Sequence, residues 1–198
     1  MTMLEHFNTQ LFLLLNAPAG LHGMSLWTAT AIAEWLIWLV PTGLTALWLF
    51  GKINDQRAAV KALVAGLIAL GANQLIAMVW FHPRPFMAGI GHTYLSHAAD
   101  SSFPSDHVTL LITVGLALWT SGSIPARRFA GALLAISPIV AWARIYLGVH
   151  FPLDMVGALG VAVSVLMLVN TLKGQNACYK LAELIEGMFA VAFGRKHS

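Results

Sequence analysis

AAVKALVAGLIALGANQLIAMVWF, residues 58–81, runs for 24 residues with one charge, Lys61. A helix needs about 20 apolar residues to cross the hydrocarbon core of a bilayer, so this stretch reads as a membrane span. Four more stretches read the same way. The first, at about 24–50, is long enough to tilt or kink and has Pro41 inside it. The next, at about 106–121, is short and begins within the interface. The last two run at about 129–147 and 152–172.

Composition agrees with the spans. The chain has 198 residues, of which 58% are hydrophobic and 10% charged. Soluble domains carry about 25% charged residues, so an integral membrane protein is expected. A net charge of +3 is met by a few basic residues in cytoplasmic loops and calls for no nucleic-acid partner. The lone Cys178 cannot form an internal disulfide. MTMLEHFNTQ has no basic region and no small-residue cleavage site ahead of an apolar core, so a cleaved signal peptide is not expected. Without repeat, linker or low-complexity tract, the chain reads as one domain spanning 1–198.

Residues 3–17 place Leu4, Phe7, Leu11 and Leu15 near one face, with Glu5, His6, Asn8 and Gln10 on the polar side. Fifteen residues are short for a span, so this is read as an interfacial helix. The stretch at about 176–193 is similar, with Lys180, Glu183 and Glu186 among Leu181, Leu184, Ile185 and Met188. The expected fold class is therefore all-α: a polytopic membrane helical bundle of about five transmembrane helices with amphipathic terminal helices. Six spans is the alternative, if 3–17 inserts fully.

Basic residues set the orientation. Lys52, Arg57 and Lys61 flank one connection, Arg127 and Arg128 another, and Lys173, Lys180, Arg195 and Lys196 follow the last span. With five spans these fall on one side, which the positive-inside rule makes cytoplasmic. The connections at 82–105 and 148–151 then lie outside, with His82, Arg84, His92, His97 and His150, next to His107. Arg84 runs against the rule, which suggests retention for a task.

Three stretches on that outer side carry chemistry. In Trp80-Phe81-His82-Pro83-Arg84-Pro85-Phe86, two prolines stop the helix and stiffen the backbone around Arg84. An arginine held so presents its planar fork to a phosphate; the alternative is an interfacial arginine reaching lipid headgroups. Phe103-Pro104-Ser105-Asp106-His107 reads as a helix start with Ser105 as N-cap. Its first-turn amides favour a bound phosphate, and Asp106 is placed to favour the imidazolium form of His107, as a general acid requires. A helix cap with an incidental histidine is the alternative. In Arg144-Ile-Tyr-Leu-Gly-Val-His150-Phe-Pro-Leu-Asp154, Pro152 suits the first turn of a helix. His150 and Asp154 are four apart and can meet across one turn. A carboxylate on one imidazole nitrogen fixes the tautomer and leaves the other free to attack. Arg144 is an ionisable residue at membrane depth and hence a functional candidate; a structural Arg144–Asp154 ion pair is the alternative.

Together these stretches resemble the type 2 phosphatidic acid phosphatase superfamily, which also includes vanadium haloperoxidases. Its pattern is Lys-x6-Arg-Pro, Pro-Ser-Gly-His and Ser-Arg-x5-His-x3-Asp. Here it reads Arg84-Pro85, Pro104-Ser105-Asp106-His107, and Ala143-Arg144 with His150 and Asp154. HPRPF and HAADSSFPSDH between Trp80 and His107 are more specifically similar to the bacitracin-resistance type of undecaprenyl-pyrophosphate phosphatase. There are departures. Ala77 stands where the family lysine would, with Asn73 and Gln74 nearby, which argues against a haloperoxidase. Asp106 replaces the glycine, as in the bacitracin-resistance subgroup, and Ala143 the serine.

The resemblance implies that His150 attacks phosphorus and forms a phosphohistidine, that Asp154 orients it, and that His107 protonates the leaving group. Arg84, Arg144 and Ser105, with backbone amides, would hold the phosphoryl oxygens, and Asp106 joins them as a substrate-binding candidate. No cofactor and no metal are implied. The expected partners are a polyprenyl pyrophosphate substrate and membrane lipids, at the outer face of the bacterial cytoplasmic membrane. The competing readings are a phosphatase of another lipid phosphate (phosphatidylglycerophosphate, phosphatidate or a lipopolysaccharide phosphate) and a non-catalytic transporter.

Other residues invite plainer readings. Glu34, inside the first span, either pairs with a site arginine, relays protons, or simply ties helices together, the last being favoured. His82, His92, His97 and His107 are too irregularly spaced to favour a metal cluster. Asp100, Ser101 and Ser102 read as loop caps, and Trp27, Trp80 and Trp142 as interfacial anchors.

Overall fold

The computed structural model describes residues 2–193, so Arg195 and Lys196 lie outside it. Among the described residues the regular structure is all helical, with no strand, and residues 80–105 form a long irregular connection. The helices are α1 (Met3–Leu15), α2 (Gly23–Trp35), α3 (Leu39–Phe50), α4 (Ile53–Val79), α5 (Asp106–Trp119), α6 (Ile124–Tyr146), α7 (Pro152–Val169) and α8 (Leu172–Phe193). Four stretches are long and apolar enough to cross a membrane: Gly23–Phe50, Ile53–Val79, Ile124–Tyr146 and Pro152–Val169. Asp106–Trp119 is a shorter apolar helix. The protein is thus an all-α, multi-pass membrane protein, with the five apolar segments where the sequence places them.

The first span joins α2 to α3 through a 3-10 turn at Leu36–Trp38. Pro41 explains it, because a proline offers no N–H to the carbonyl one turn earlier. Pro138 interrupts α6 in the same way, but there Ser137 Oγ donates to the Leu134 carbonyl at 3.0 Å. The freed acceptor is satisfied and the helix continues.

Short α5 is the centre of the bundle, packed by α4, α6 and α7. Val108, Leu111, Val114, Ala117 and Leu118 are buried along it. Close approach relies on small residues, as is usual between membrane helices. Ala62, Ala65 and Ala69 of α4 are fully buried, and a Cβ on Gly66 would stand 2.9 Å from Leu110 Cδ1. At about 1.5 Å per residue, α5 is shorter than a bilayer's hydrocarbon core is thick, yet it carries the chain to the basic end of α4, where Lys61 Nζ donates to Thr120 Oγ1 at 3.1 Å. Its first turn opens on a cavity near the other end of the bundle.

Helix α1, of 13 residues, is shorter than a span needs. Thr2 and Glu5 close a capping box at its start. One correction concerns its polar side: Asn8 is buried, and its Oδ1 accepts from Leu153 N at 3.0 Å. Phe12 meets Phe151 edge to face, ring centroids 5.2 Å apart. An amide that satisfies a free N–H in the first turn of α7 is better placed inside than in water.

Candidate active site

Two connections, 80–105 and 147–151, converge at one end of the bundle. After α6 the chain turns at Gly148, whose φ is +82°. A Cβ there would collide with the His92 carbonyl, so only glycine allows the turn. Two residues later His150 lies buried, 2% exposed, just before α7. The segment 82–105 folds over it. Arg84 comes from the start of that segment, Ser102 and Ser105 from its end, and Arg144 from the last turn of α6.

Hydrogen bonds fix the imidazole's protonation. His150 Nδ1 lies 3.0 Å from the Ser102 carbonyl and 3.1 Å from Asp154 Oδ2. A carbonyl only accepts, so Nδ1 carries the proton. Arg84 Nη1 stands 3.2 Å from Nε2 and Arg144 Nη2 3.5 Å from it. Guanidinium groups only donate, so Nε2 is the bare nitrogen. Burial, and next the charges of Arg144 and Arg84, hold the ring well below the usual histidine range and therefore neutral.

Each neighbour is itself positioned. Arg84, 5% exposed, sends Nε to Asp100 Oδ1 at 2.8 Å, Nη1 to the Val149 carbonyl at 2.9 Å and Nη2 to the Ser101 carbonyl at 3.2 Å. Arg144 donates from Nη1 to the Ala33 carbonyl at 3.2 Å. Asp154 Oδ2 accepts from Phe151 N at 2.7 Å and from Ser102 Oγ. No Arg144–Asp154 ion pair forms among the described residues; the aspartate belongs to His150. Glu34 is half-buried, next in sequence to Ala33, whose carbonyl accepts from Arg144.

Several polar atoms are buried without a partner: Ser105 Oγ, Arg144 Nε and Asp154 Oδ1. Buried polar groups are ordinarily paired; Arg144 Nε is an unused donor on a guanidinium that reaches His150, which suits an oxygen-rich guest, whereas Asp154 Oδ1 can only accept. Ser105 occupies the N-cap position of α5, as read from the sequence, but its hydroxyl caps nothing. The first-turn amides of α5 are left for an anion.

Asp106 departs from its expected use. Its carboxylate is held by Asn73 Nδ2 at 2.7 Å and Gln74 Nε2 at 3.3 Å, across from α4. It therefore serves the α4–α5 wall, where the sequence reading had it support His107. Ala77 lies on that wall too. A cavity of about 150 Å³ is enclosed by these groups, with His107, Arg84, Arg144 and His150 all lining it.

The loop caps are the other correction. Ser102 is fully buried and touches both members of the His150–Asp154 pair, while Asp100 holds Arg84. From sequence both read as loop caps and neither as part of the site, since no spacing rule joins residue 102 to residues 150 and 154. The signal available was proximity to the Pro104–His107 motif.

A nucleophile-ready imidazole between two guanidiniums, above a helix N-terminus, is an arrangement for phosphoryl transfer. Comparisons with known proteins agree. The model of the "PAP2 superfamily" matches residues 58–177. YbjG of Escherichia coli (strain K12), provisionally named an undecaprenyl-diphosphatase, is 36% identical over 197 residues, covering 96% of this chain and 94% of that one. The undecaprenyl-diphosphatase BcrC of Bacillus subtilis (strain 168) is 36% identical over 132 residues, 67% of this chain and 66% of that one. The crystal structure of a PAP2-type phosphatidylglycerolphosphate phosphatase from Bacillus subtilis superposes with a TM-score of 0.63 at 18% identity, covering 89% of this chain and 88% of that one, which speaks to the fold. With its helical bundle, its three motifs and these relatives, the chain belongs to the PAP2 superfamily.

Proposed function

We propose that this protein hydrolyses a lipid pyrophosphate, converting undecaprenyl pyrophosphate to undecaprenyl phosphate and inorganic phosphate. The observation that carries the reading is His150 Nε2, unprotonated and flanked by Arg84 and Arg144. Such a nitrogen attacks the terminal phosphorus while the guanidiniums neutralise the developing charge. The bond from phosphorus to the bridging oxygen breaks, His107 gives that oxygen a proton, and a phosphohistidine remains. Water, giving its proton to His107, then cleaves the P–N bond and frees phosphate. Asp154 and Ser102 orient the ring; Ser105 Oγ and the α5 amides hold phosphoryl oxygens. Two arginines supply the positive charge this chemistry needs, so no metal is required.

The choice of a polyprenyl substrate rests on the names of the two relatives and on the cavity's surroundings. Leu75, Met78 and Val79 of α4 are exposed next to Gln74 and Ala77 of the cavity wall. An isoprenoid tail has an apolar, lipid-facing surface there. Lys52, Arg57, Lys61, Arg127 and Arg128 lie at the opposite end of the helices. The positive-inside rule therefore directs the cavity to the outer face of a bacterial cytoplasmic membrane.

The test is phosphate release from undecaprenyl pyrophosphate in detergent with EDTA, comparing wild type with His150→Ala. Release by wild type alone is expected. Release by both would remove His150 from the role of nucleophile. Release by neither would reject the substrate, and a panel of other lipid phosphates then separates a different phosphatase from a non-hydrolytic protein.

A further inference from the structure

The third histidine of the cavity has no part in the chemistry above. His97 lines the same space as Arg84, Arg144, His107 and His150. Its side chain is 24% exposed, and its ring lies 6.3 Å from that of His150, at 76° to it. His97 Nδ1 donates to the Ala98 carbonyl at 3.3 Å, which leaves Nε2 as the free nitrogen. Asp100 Oδ1 is 3.8 Å from Nδ1 and 2.8 Å from Arg84 Nε. One carboxylate thus stands behind both an arginine of the site and this imidazole.

We propose that His97, backed by Asp100, binds the second phosphate of a pyrophosphate substrate, the one that departs with the lipid. The proposal rests on the pyrophosphate reading above and gives that reading its selectivity. Both guanidiniums flank His150 Nε2, where the attacked phosphorus would sit. A terminal phosphate carries about two negative charges near neutral pH, and the inner phosphate adds another that needs its own partner. The wall offers no lysine, because position 77 is alanine. The remaining group able to become a cation there, apart from His107 with its proton-transfer task, is His97.

The charges around His97 make it responsive. Arg84 and Arg144 face it on the positive side and Asp100 on the negative, with the neutral ring of His150 and that of His107 lining the same space. In the empty cavity, burial first and then the two arginines hold the ring below its usual range and so neutral. A bound pyrophosphate reverses the local sign. The ring takes a proton from solvent, Nε2–H donates to a phosphate oxygen, and Asp100 supports the charge. Binding of the second phosphate is therefore strongest at low pH and weakens as pH rises through the ring's value in the complex.

The experiment uses the full chain in detergent, with undecaprenyl pyrophosphate and undecaprenyl phosphate as substrates and methylenediphosphonate and inorganic phosphate as inhibitors. His97→Ala is expected to raise KM for the pyrophosphate about tenfold or more, the scale of one hydrogen bond to a charged group. The pyrophosphate-to-monophosphate ratio of kcat/KM falls with it, and diphosphonate loses its advantage over phosphate as inhibitor. His97→Lys recovers affinity and abolishes the rise of KM with pH. Equal losses on both substrates and both inhibitors, or none, would overturn the subsite. Should wild type leave undecaprenyl pyrophosphate intact, the substrate reading fails by itself. The diphosphonate comparison then decides the subsite: selective weakening in His97→Ala retains it, and unchanged inhibition removes it.

Discussion

Asp55 and Asp154 are built alike and sit at opposite ends of the bundle. Each is buried in the first turn of a helix, α4 or α7. Each accepts the backbone N–H three residues earlier at 2.7 Å, from Lys52 or Phe151. Each also accepts a serine hydroxyl from a distant loop, Ser123 or Ser102. The difference lies in the sharing. Asp55 uses one oxygen for each partner and is saturated by neutral donors. Asp154 loads Oδ2 with the amide, the hydroxyl and His150, and leaves Oδ1 without a partner. The same capping device becomes part of the proposed active site when a histidine is added to it.

Substitutions test that contrast. Asp154→Asn is expected to lower phosphate release by about 10³–10⁴-fold, since an amide neither fixes the Nδ1–H tautomer nor stabilises a positive ring. Asp55→Asn should keep the turnover of folded protein within about twofold while removing about 1–2 kcal/mol of stability, the scale of a lost helix cap. Parallel melts and phosphate assays in detergent measure both. Equal silencing by the two substitutions would break the comparison.

Smaller effects sharpen it. Ser102→Ala should cost about 10–100-fold in kcat, as loss of an outer partner to a reacting group commonly does, with little change in the melting midpoint. Ser123→Ala should do the reverse, removing about 1 kcal/mol and sparing kcat. Asn8→Ala is expected to be mildest: about 1 kcal/mol from one hydrogen bond, seen as a slightly lower midpoint and a kcat reduced a few-fold.

What sequence disclosed follows from the range of the contacts. The apolar segments are local, and each could be read from length and hydropathy; α4 was placed at 58–81 and runs from Ile53 to Val79. The Pro104–His107 and Arg144–Asp154 stretches likewise carry their spacing with them. Ser102 became visible only when the 82–105 segment was seen folded over His150, 48 residues away in sequence. Asn8 looked polar and outward on a helical wheel, because the wheel holds no information about Leu153, 145 residues on. Asp106 was read with its neighbour His107 and is held by Asn73 of another helix.

Helix α1 works as a strut. Through Asn8 it grips the first turn of α7, and through Phe12 it leans on Phe151, next to His150. Wedging a bulky partner against this helix, as in a fusion joined without a spacer, would be felt as slower turnover well before the bundle itself gave way.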